Sequence, residues 1–175
     1  MRKQLLFLLT ILFSLSATQL RAEGNWSDDV SAITPEGDPE EDPEGAVYKI
    51  TSPQQLAWVA QEVNKGNLTN KVFILMNDID LKGKEWTPIG NSSNAFTGYF
   101  RGDNYTISNL KITQLSSGYA GLFGNTEGDS EQSSEISDLI LTDVNVVNIS
   151  FGTGALIGNS YYTNVKNCHV KGVVS

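Results

Sequence analysis

The distribution of apolar residues divides this chain of 175 residues into three parts. Leu5 to Leu15 is an almost continuous apolar run, and residues 23–46 are acidic and rich in proline. From Val47 onward, short apolar stretches alternate with turns of Gly, Asn and Ser. That last pattern is typical of short strands joined by tight turns, so we expect an all-β domain over residues 47–175.

One helix is predicted inside this domain, over residues 53–65. Ser52 can cap the free backbone N–H groups, Pro53 suits the first helical position, and Gln55 completes a capping box. The residues that follow form one apolar stripe at helical spacing: Leu56, Val59, Ala60 and Val63. Gly66 is a natural stop for the helix.

An internal repeat is the most informative feature of the domain. Ile107 to Thr113 aligns with Ile136 to Thr142. A third copy, Val165 to Lys171, follows at the same interval along the chain. Between these blocks, Gly121 to Asn125 matches Ala155 to Asn159 at a slightly longer interval. Such variable spacing is typical of stacked repeats, in which insertions fall in the corners.

Repeated short strands without intervening helices predict a right-handed parallel β-helix, a solenoid whose open first coil is covered by the helix at 53–65. An antiparallel sandwich built from the same strands is the alternative. The predicted organisation is a signal peptide at 1–22, an extended linker at 23–46 and the β-helix domain at 47–175. Its repeats are expected near 72–106, 107–135, 136–164 and 165–175.

The repeated blocks resemble a known family. Gly121-Leu122-Phe123-Gly124 is similar to the signature of GLUG-motif bacterial surface proteins, and Leu156-Ile157-Gly158 belongs to the second copy. The preceding blocks also fit the order found in that family: Asn77 to Leu81, Trp86 to Gly90, Phe96 to Gly102 and Thr106 to Leu110. The second copy begins with Ala155 in place of Gly, and Arg101 and Tyr105 depart from the usual pattern.

The resemblance implies a pectate-lyase-like right-handed β-helix on a secreted or surface-exposed bacterial protein. Members of the family include large adhesin-like proteins and non-catalytic regions of IgA-specific metallopeptidases. Because the family has no single activity, the resemblance assigns neither a ligand nor a reaction.

Export is predicted from the N-terminus. Met1-Arg2-Lys3 is basic, the apolar run follows it, and small or polar residues lead to a predicted cleavage after Ala22. We therefore expect a secreted or cell-surface protein.

Charge and composition exclude several classes of function. The formal net charge is -8, but residues 23–46 contain nine acidic residues and no Lys or Arg, so the domain itself is nearly neutral. Neither part has the basic clusters that nucleic acid requires. A single His and a single Cys, His169 and Cys168, provide neither a zinc site nor a disulfide, and we expect no metal and no cofactor.

Two carboxylates are the candidates for catalysis. Asp78 and Asp80 are two positions apart, so on a strand they share one face. Together with Arg101 they could act on an acidic polysaccharide. The alternative interpretation is structural, because Asp residues beside a turn usually accept hydrogen bonds from nearby backbone N–H groups.

Further candidates are ligand-binding residues. Alternation places Tyr99 and Arg101 on the outer face of a strand, and Tyr161 and Tyr162 are two aromatics in a later turn. Exposed aromatics can stack on sugar rings. Arg101-Gly102-Asp103 also spells the tripeptide that integrins read, although Asp103 and its neighbours equally suit a turn.

The main hypothesis is therefore a non-enzymatic binding or adhesion module for a glycan, an extracellular-matrix protein or a host surface protein. The alternatives are a polysaccharide lyase or hydrolase of the β-helix class, and a structural segment of a larger surface protein. The sequence stops in the middle of a repeat, at Val173-Val174-Ser175, and we expect an open coil there that supports self-association.

Overall fold

The structure of the protein is a computed structural model, which describes residues 24–36, 46–115, 118–147 and 151–175. The predicted signal peptide, residues 1–22, lies outside the described residues. Strands dominate the described part of the chain, which also contains one α-helix, α1 (Pro53–Asn64), and a 3-10 helix at Trp26–Asp28. Fourteen strands are described: β1 (Val47–Ile50), β2 (Val72–Leu75), β3 (Ile79–Asp80), β4 (Tyr99–Arg101), β5 (Thr106–Ser108), β6 (Lys111–Ile112), β7 (Tyr119–Ala120), β8 (Phe123–Glu127), β9 (Ser134–Ser137), β10 (Ile140–Val146), β11 (Gly152–Thr153), β12 (Ile157–Tyr161), β13 (Thr163–Lys166) and β14 (His169–Val174).

The strands form several small sheets in which every described pair of named strands is parallel. One sheet has the order β1-β2-β4-β9-β13, and a second has the order β14-β10-β5-β3, with β6 also pairing with β10. Two-stranded sheets are formed by β11 with β7 and by β12 with β8. The all-β prediction is confirmed at this level, and the antiparallel sandwich is wrong, because its strands would pair in opposite directions.

The predicted helix is present and ends one residue early. Ser52 Oγ accepts a hydrogen bond from the Gln55 backbone N–H at 3.2 Å. The Gln55 side chain accepts from the backbone N–H of Thr51 at 2.7 Å, one residue before the usual partner in a capping box. The predicted apolar stripe is buried. Gly66 follows the helix with φ of +83°, a conformation that favours glycine.

The N-terminal segment differs from the predicted linker. Trp26 is 2% exposed and Ile33 is 8% exposed, and both belong to the main hydrophobic core. The Trp26 backbone N–H donates to Glu85 O at 3.0 Å, and Glu36 forms an isolated antiparallel bridge with Val47. Residues 24–36 are therefore packed on the body and do not form part of an extended linker. The acidic composition favoured an extended chain. Burial of two large apolar side chains stabilises the packed segment by more free energy than repulsion among the acidic residues around them opposes.

Aromatic rings run through the core from one strand to the next. The ring centroids are 5.4 Å apart between Tyr48 and Phe73, 5.8 Å between Phe73 and Phe96, and 5.0 Å between Phe96 and Phe123. Phe100 packs edge-on against Phe123 at 5.2 Å. The predicted alternation holds here, since Phe96 and Phe100 are fully buried.

The repeat stacks in a register that agrees with the sequence alignment only in part. Val165 pairs with Ile136, as the alignment of their two segments predicts. Ile107, however, pairs with Leu141 rather than Ile136, and Ile136 pairs with Phe100. Ile107 and Ile136, which the alignment equates, therefore lie in different columns of strands, and the second segment continues into β10, where residues 140–142 pair with residues 106–108.

The Gly-containing block stacks as its alignment predicts. Ile157 pairs with Phe123, its counterpart in the first copy, and Phe123 in turn forms a parallel bridge with Ile89. The glycines of this column allow very close backbone packing. A Cβ atom at Gly124 would lie 2.5 Å from the carbonyl oxygen of Gly90.

The final described strands lie at sheet edges. Strands β11 to β14 each stand at the edge of a sheet. These strands carry exposed apolar side chains, namely Val165, Val170, Val173 and Val174, which are 43% to 62% exposed.

Candidate functional site

Asp78 and Asp80 serve as hydrogen-bond acceptors between neighbouring strands. Asp78 Oδ1 accepts from the backbone N–H of Thr106 at 2.8 Å. Asp80 Oδ1 accepts from the Asn109 carboxamide at 2.8 Å and from the Lys82 backbone N–H at 2.7 Å. The Asn109 carboxamide and the Lys82 N–H together hold the pKa of Asp80 below its ordinary value. A lowered pKa favours the ionised form, so Asp80 is poorly suited to act as a general acid.

Tyr99 and Arg101 lie on β4, half-buried, on the side opposite Phe100. Gly102 follows in a buried position where a Cβ atom would lie 2.5 Å from Asp138 O. Asp103 is exposed at the turn, with φ of +48°. The Arg-Gly-Asp tripeptide therefore begins on a strand and ends on a solvent-facing turn.

Tyr161 and Tyr162 are exposed by 60% and 51%, and their rings meet edge-on with centroids 4.5 Å apart. Tyr161 is the last residue of β12, in the two-stranded β12-β8 sheet, and Tyr162 follows it in a bend before β13. The candidate residues are thus distributed over different elements. Asp80 belongs to the sheet that contains β3, and Tyr99 and Arg101 belong to the sheet that contains β4.

Cys168 and His169 have different surroundings. Cys168 packs against the core, and burial raises the pKa of its thiol above the ordinary value, which disfavours the nucleophilic thiolate. His169 is exposed. Across the described residues, no group of three or more His, Cys, Asp or Glu side chains is arranged to hold a metal ion.

A cavity that the sequence did not predict lies between α1 and the N-terminal segment. Its volume is about 240 Å³, and its walls include Trp26, Ala57, Ala60 and Trp86. Both indole N–H groups are already used: Trp26 donates to Leu81 O at 2.9 Å, and Trp86 donates to Leu122 O at 3.1 Å. The tryptophans therefore shape the cavity without offering it a polar group.

A second cavity, of about 430 Å³, adjoins the first and shares Asn64 and Thr87 with it. Tyr119 and Phe151 line this second cavity, with ring centroids 6.3 Å apart. Phe151 is 83% exposed. An aromatic ring with so much free surface is a platform on which a ligand can stack.

Asn64 stands where the two cavities meet. Its Nδ2 donates to Pro88 O at 3.0 Å, and its backbone carbonyl accepts from the side chains of Asn91 and Asn94 at 3.1 Å and 3.0 Å. Its Oδ1 is buried and lacks a hydrogen-bond donor among the described residues. A buried acceptor left in this way costs about 1–3 kcal/mol.

Sequence patterns could hardly predict this site, because its residues come from distant segments. Trp26, Asn64, Trp86, Tyr119 and Phe151 are brought together by the stacking of strands and by the docking of residues 24–36 on the body. One available signal was Trp26, a large apolar residue inside an acidic segment.

Comparison with known proteins gives limited information. No family model matches the chain, and no solved structure matches it. One relative, from Evansella cellulosilytica, carries the name "Putative Gly-rich membrane protein" and is 34% identical over 97 residues. The match covers 51% of this chain and 11% of that protein. Within the described ranges, α1 and the shorter helical turn are too short or too polar to cross a bilayer.

Proposed function

We propose that this chain is an exported, non-enzymatic binding module built as a right-handed parallel β-helix, with α1 as the cap of its first coil. The parallel register supports the fold, since Val47, Val72, Tyr99, Glu135 and Asn164 follow one another across a single sheet. Parallel crossover connections are almost always right-handed. The buried apolar face of α1 meets the core beside β1, where a solenoid needs a cover.

The family proposal rests on the GLUG-like blocks. The residues of the first copy, Gly121 to Gly124, are all buried, and Gly124 permits close contact with the preceding coil. We propose that the chain belongs with these surface proteins and is secreted or held at the cell surface. The name of the Evansella relative, which describes that protein as a membrane protein, is compatible with a location in the cell envelope.

The pair of adjoining cavities around Asn64 is the main observation that supports a binding role. The hydrolase alternative depends on Asp78 and Asp80, whose carboxylates are engaged by neighbouring backbone and amide groups. A binding module for a glycan or an extracellular-matrix protein is consistent with both findings. The candidate outer contacts Tyr99, Arg101 and the Tyr161–Tyr162 pair remain part of this proposal.

The test is to probe a glycan and matrix-protein array with residues 24–175, which keep Trp26 and Ile33 in the core. We expect retention of at least one ligand class without its degradation. Activity on acidic polysaccharides is measured in parallel, with the double variant Asp78→Ala and Asp80→Ala. Turnover that disappears in this variant would establish the lyase or hydrolase instead.

A structural role is the second candidate, and the strand edges within residues 151–175 favour it. Unpaired strand edges with exposed valines are templates for further β-structure. Light scattering of residues 24–175 measures this directly. Concentration-dependent self-association would support stacking through these edges, whereas a stable monomer at all concentrations would contradict it.

A further inference from the structure

The chemical character of the two cavities around Asn64 narrows the class of ligand. Their combined lining, taken over the described residues, contains aromatic and aliphatic side chains together with neutral amides and hydroxyls, and no Asp or Glu. Lys65 is the charged residue of this lining, and its ammonium group pairs with Glu62 at 2.8 Å. Such a surface suits a ligand that combines apolar faces with many neutral hydrogen-bonding groups.

Asn64 supplies the polar anchor. Its Oδ1 is a buried acceptor to which none of the described residues donates. Rotation about the soft terminal torsion of the side chain, which releases the Nδ2 bond to Pro88 O, would turn this oxygen toward the cavity. A ligand hydroxyl that donates to this oxygen removes the cost of leaving it unpaired. The neighbouring Asn91 cannot play the same part, because its Oδ1 already accepts from the backbone N–H groups of Ser93 and Asn94.

Phe151 and Tyr119 supply the apolar contact. Phe151 is 83% exposed, and it lines the second cavity beside the half-buried Tyr119. Pyranose rings have apolar C–H faces and a rim of hydroxyl groups. An exposed aromatic ring and an unpaired acceptor on two residues that line the same cavity match these two features of a sugar.

We propose that these adjoining cavities are a saccharide-binding site, in which Asn64 Oδ1 accepts a sugar hydroxyl and Phe151 stacks on a sugar ring. The proposal rests on the binding role proposed above and assigns it a place and a ligand class. It also differs from the outer-surface residues, such as Tyr99 and Tyr161, that the sequence analysis favoured.

The test is a titration of isotopically labelled residues 24–175 with cellohexaose as a neutral probe and hexagalacturonate as an acidic probe. We expect the indole N–H signals of Trp26 and Trp86 and the side-chain amide signals of Asn64 to shift with at least one of them. The absence of such shifts with both probes at millimolar concentration would overturn the proposal.

Two variants test which side chains contribute to saccharide affinity. Asn64→Leu keeps the side-chain volume but removes the unpaired oxygen, and we expect affinity to fall about tenfold, the equivalent of one hydrogen bond. Its melting temperature should stay near that of the wild type, because the lost bond to Pro88 is offset by removal of a buried unpaired acceptor. Phe151→Ser should weaken binding several-fold without affecting the fold, since the ring is exposed.

Asn145→Leu is the matched control, because Asn145 is exposed on β10 and lies outside both cavity linings. It should bind as the wild type does. Equal saccharide affinity in the wild type, Asn64→Leu and Phe151→Ser would refute this site and leave the binding role itself standing. Failure of the binding role would be seen separately, as an array without any retained ligand.

Discussion

Truncation of Trp26 to alanine tests whether residues 24–36 belong to the folded body. The side chain is 2% exposed, and its indole N–H donates to Leu81 O at 2.9 Å. Lys84 Nζ lies 4.0 Å from the centroid of the ring, in a cation–π contact. The substitution therefore removes a large buried surface, one buried hydrogen bond and one charge contact.

The expected loss in the free energy of unfolding follows from these contacts. Replacement of a buried Trp by Ala costs about 3–5 kcal/mol. The Leu81 carbonyl keeps the hydrogen bond that it accepts from the Lys84 backbone N–H at 3.1 Å, so loss of the indole donor adds little to this cost. We therefore expect a total of about 3–5 kcal/mol, which lowers the melting temperature by roughly 6–20 °C in a domain of this size.

The measurement is thermal and urea unfolding of residues 24–175, followed by circular dichroism because the substitution removes a fluorophore. Val30→Ala in the same segment is the control. Val30 is 38% exposed, so its truncation should change the free energy of unfolding by no more than about 0.5 kcal/mol. If Trp26→Ala unfolds at the same temperature as Val30→Ala, the packing of this segment against the core is refuted.

Three further predictions concern single positions. Gly124→Ala should lower the free energy of unfolding by about 3 kcal/mol, because its Cβ would lie 2.5 Å from Gly90 O. A Cβ at Gly83 would have nothing within 4 Å, so Gly83→Ala should cost only about 1 kcal/mol, for its φ of +63°. Urea unfolding of the two variants measures the difference. Ser52→Ala should remove about 1 kcal/mol of stability through the lost cap, and equal stability to the wild type would contradict this. The pKa of Asp80 is lower in the folded state than its ordinary value of 3.8. The carboxylate therefore contributes to the stability of the fold above pH 3.8, and this stabilisation is lost as the pH falls from there through the folded-state pKa. Melting temperatures of Asp80→Asn should therefore decline less than those of the wild type over this acidic range, and parallel declines would argue against the effect.

Local signals in the sequence predicted the helix and the strand-rich body well. The cap at Ser52, the proline at position 53 and the apolar stripe all act within one helical segment, so their spacing alone specifies the result. The same holds for burial along β4, where Phe100 is buried and its neighbours Tyr99 and Arg101 are half-buried. In both cases the information lies within a few residues.

The register of the repeats could not be predicted in the same way. Asn109 and Asp138 both adopt positive φ, at +58° and +53°, and each precedes a buried leucine, Leu110 or Leu139. Their sequences align because they are corners of the same local type. Which corner stacks on which depends on the length of the loops between them, and a sequence match between similar corners does not reveal that Ile107 pairs with Leu141.

Two further features also depend on contacts between segments that are distant in the sequence. They are the docking of residues 24–36 and the cavities around Asn64. The acidic composition of the leader predicted an extended chain, and only the position of Trp26 against Leu81 and Glu85 shows that it packs. Asn64 looks like an ordinary residue near the end of a helix. Its unpaired oxygen arises from the loop that follows Trp86, which supplies a partner for Nδ2 but none for Oδ1 within the described residues.

The geometry of the corners also explains why the most conspicuous carboxylates are poor functional candidates. Most of the described non-glycine residues with positive φ are Asn or Asp, the residue types that tolerate this conformation best. Their side chains then bond to the next corner, as Asn109 does to Asp80 and Asn167 does to Asp138. Asp80 lies on β3 and is the acceptor for one of these corner side chains, so the fold itself accounts for its presence. Side chains that the fold does not require, such as the exposed ring of Phe151 and the unpaired oxygen of Asn64, are therefore the better indicators of ligand binding.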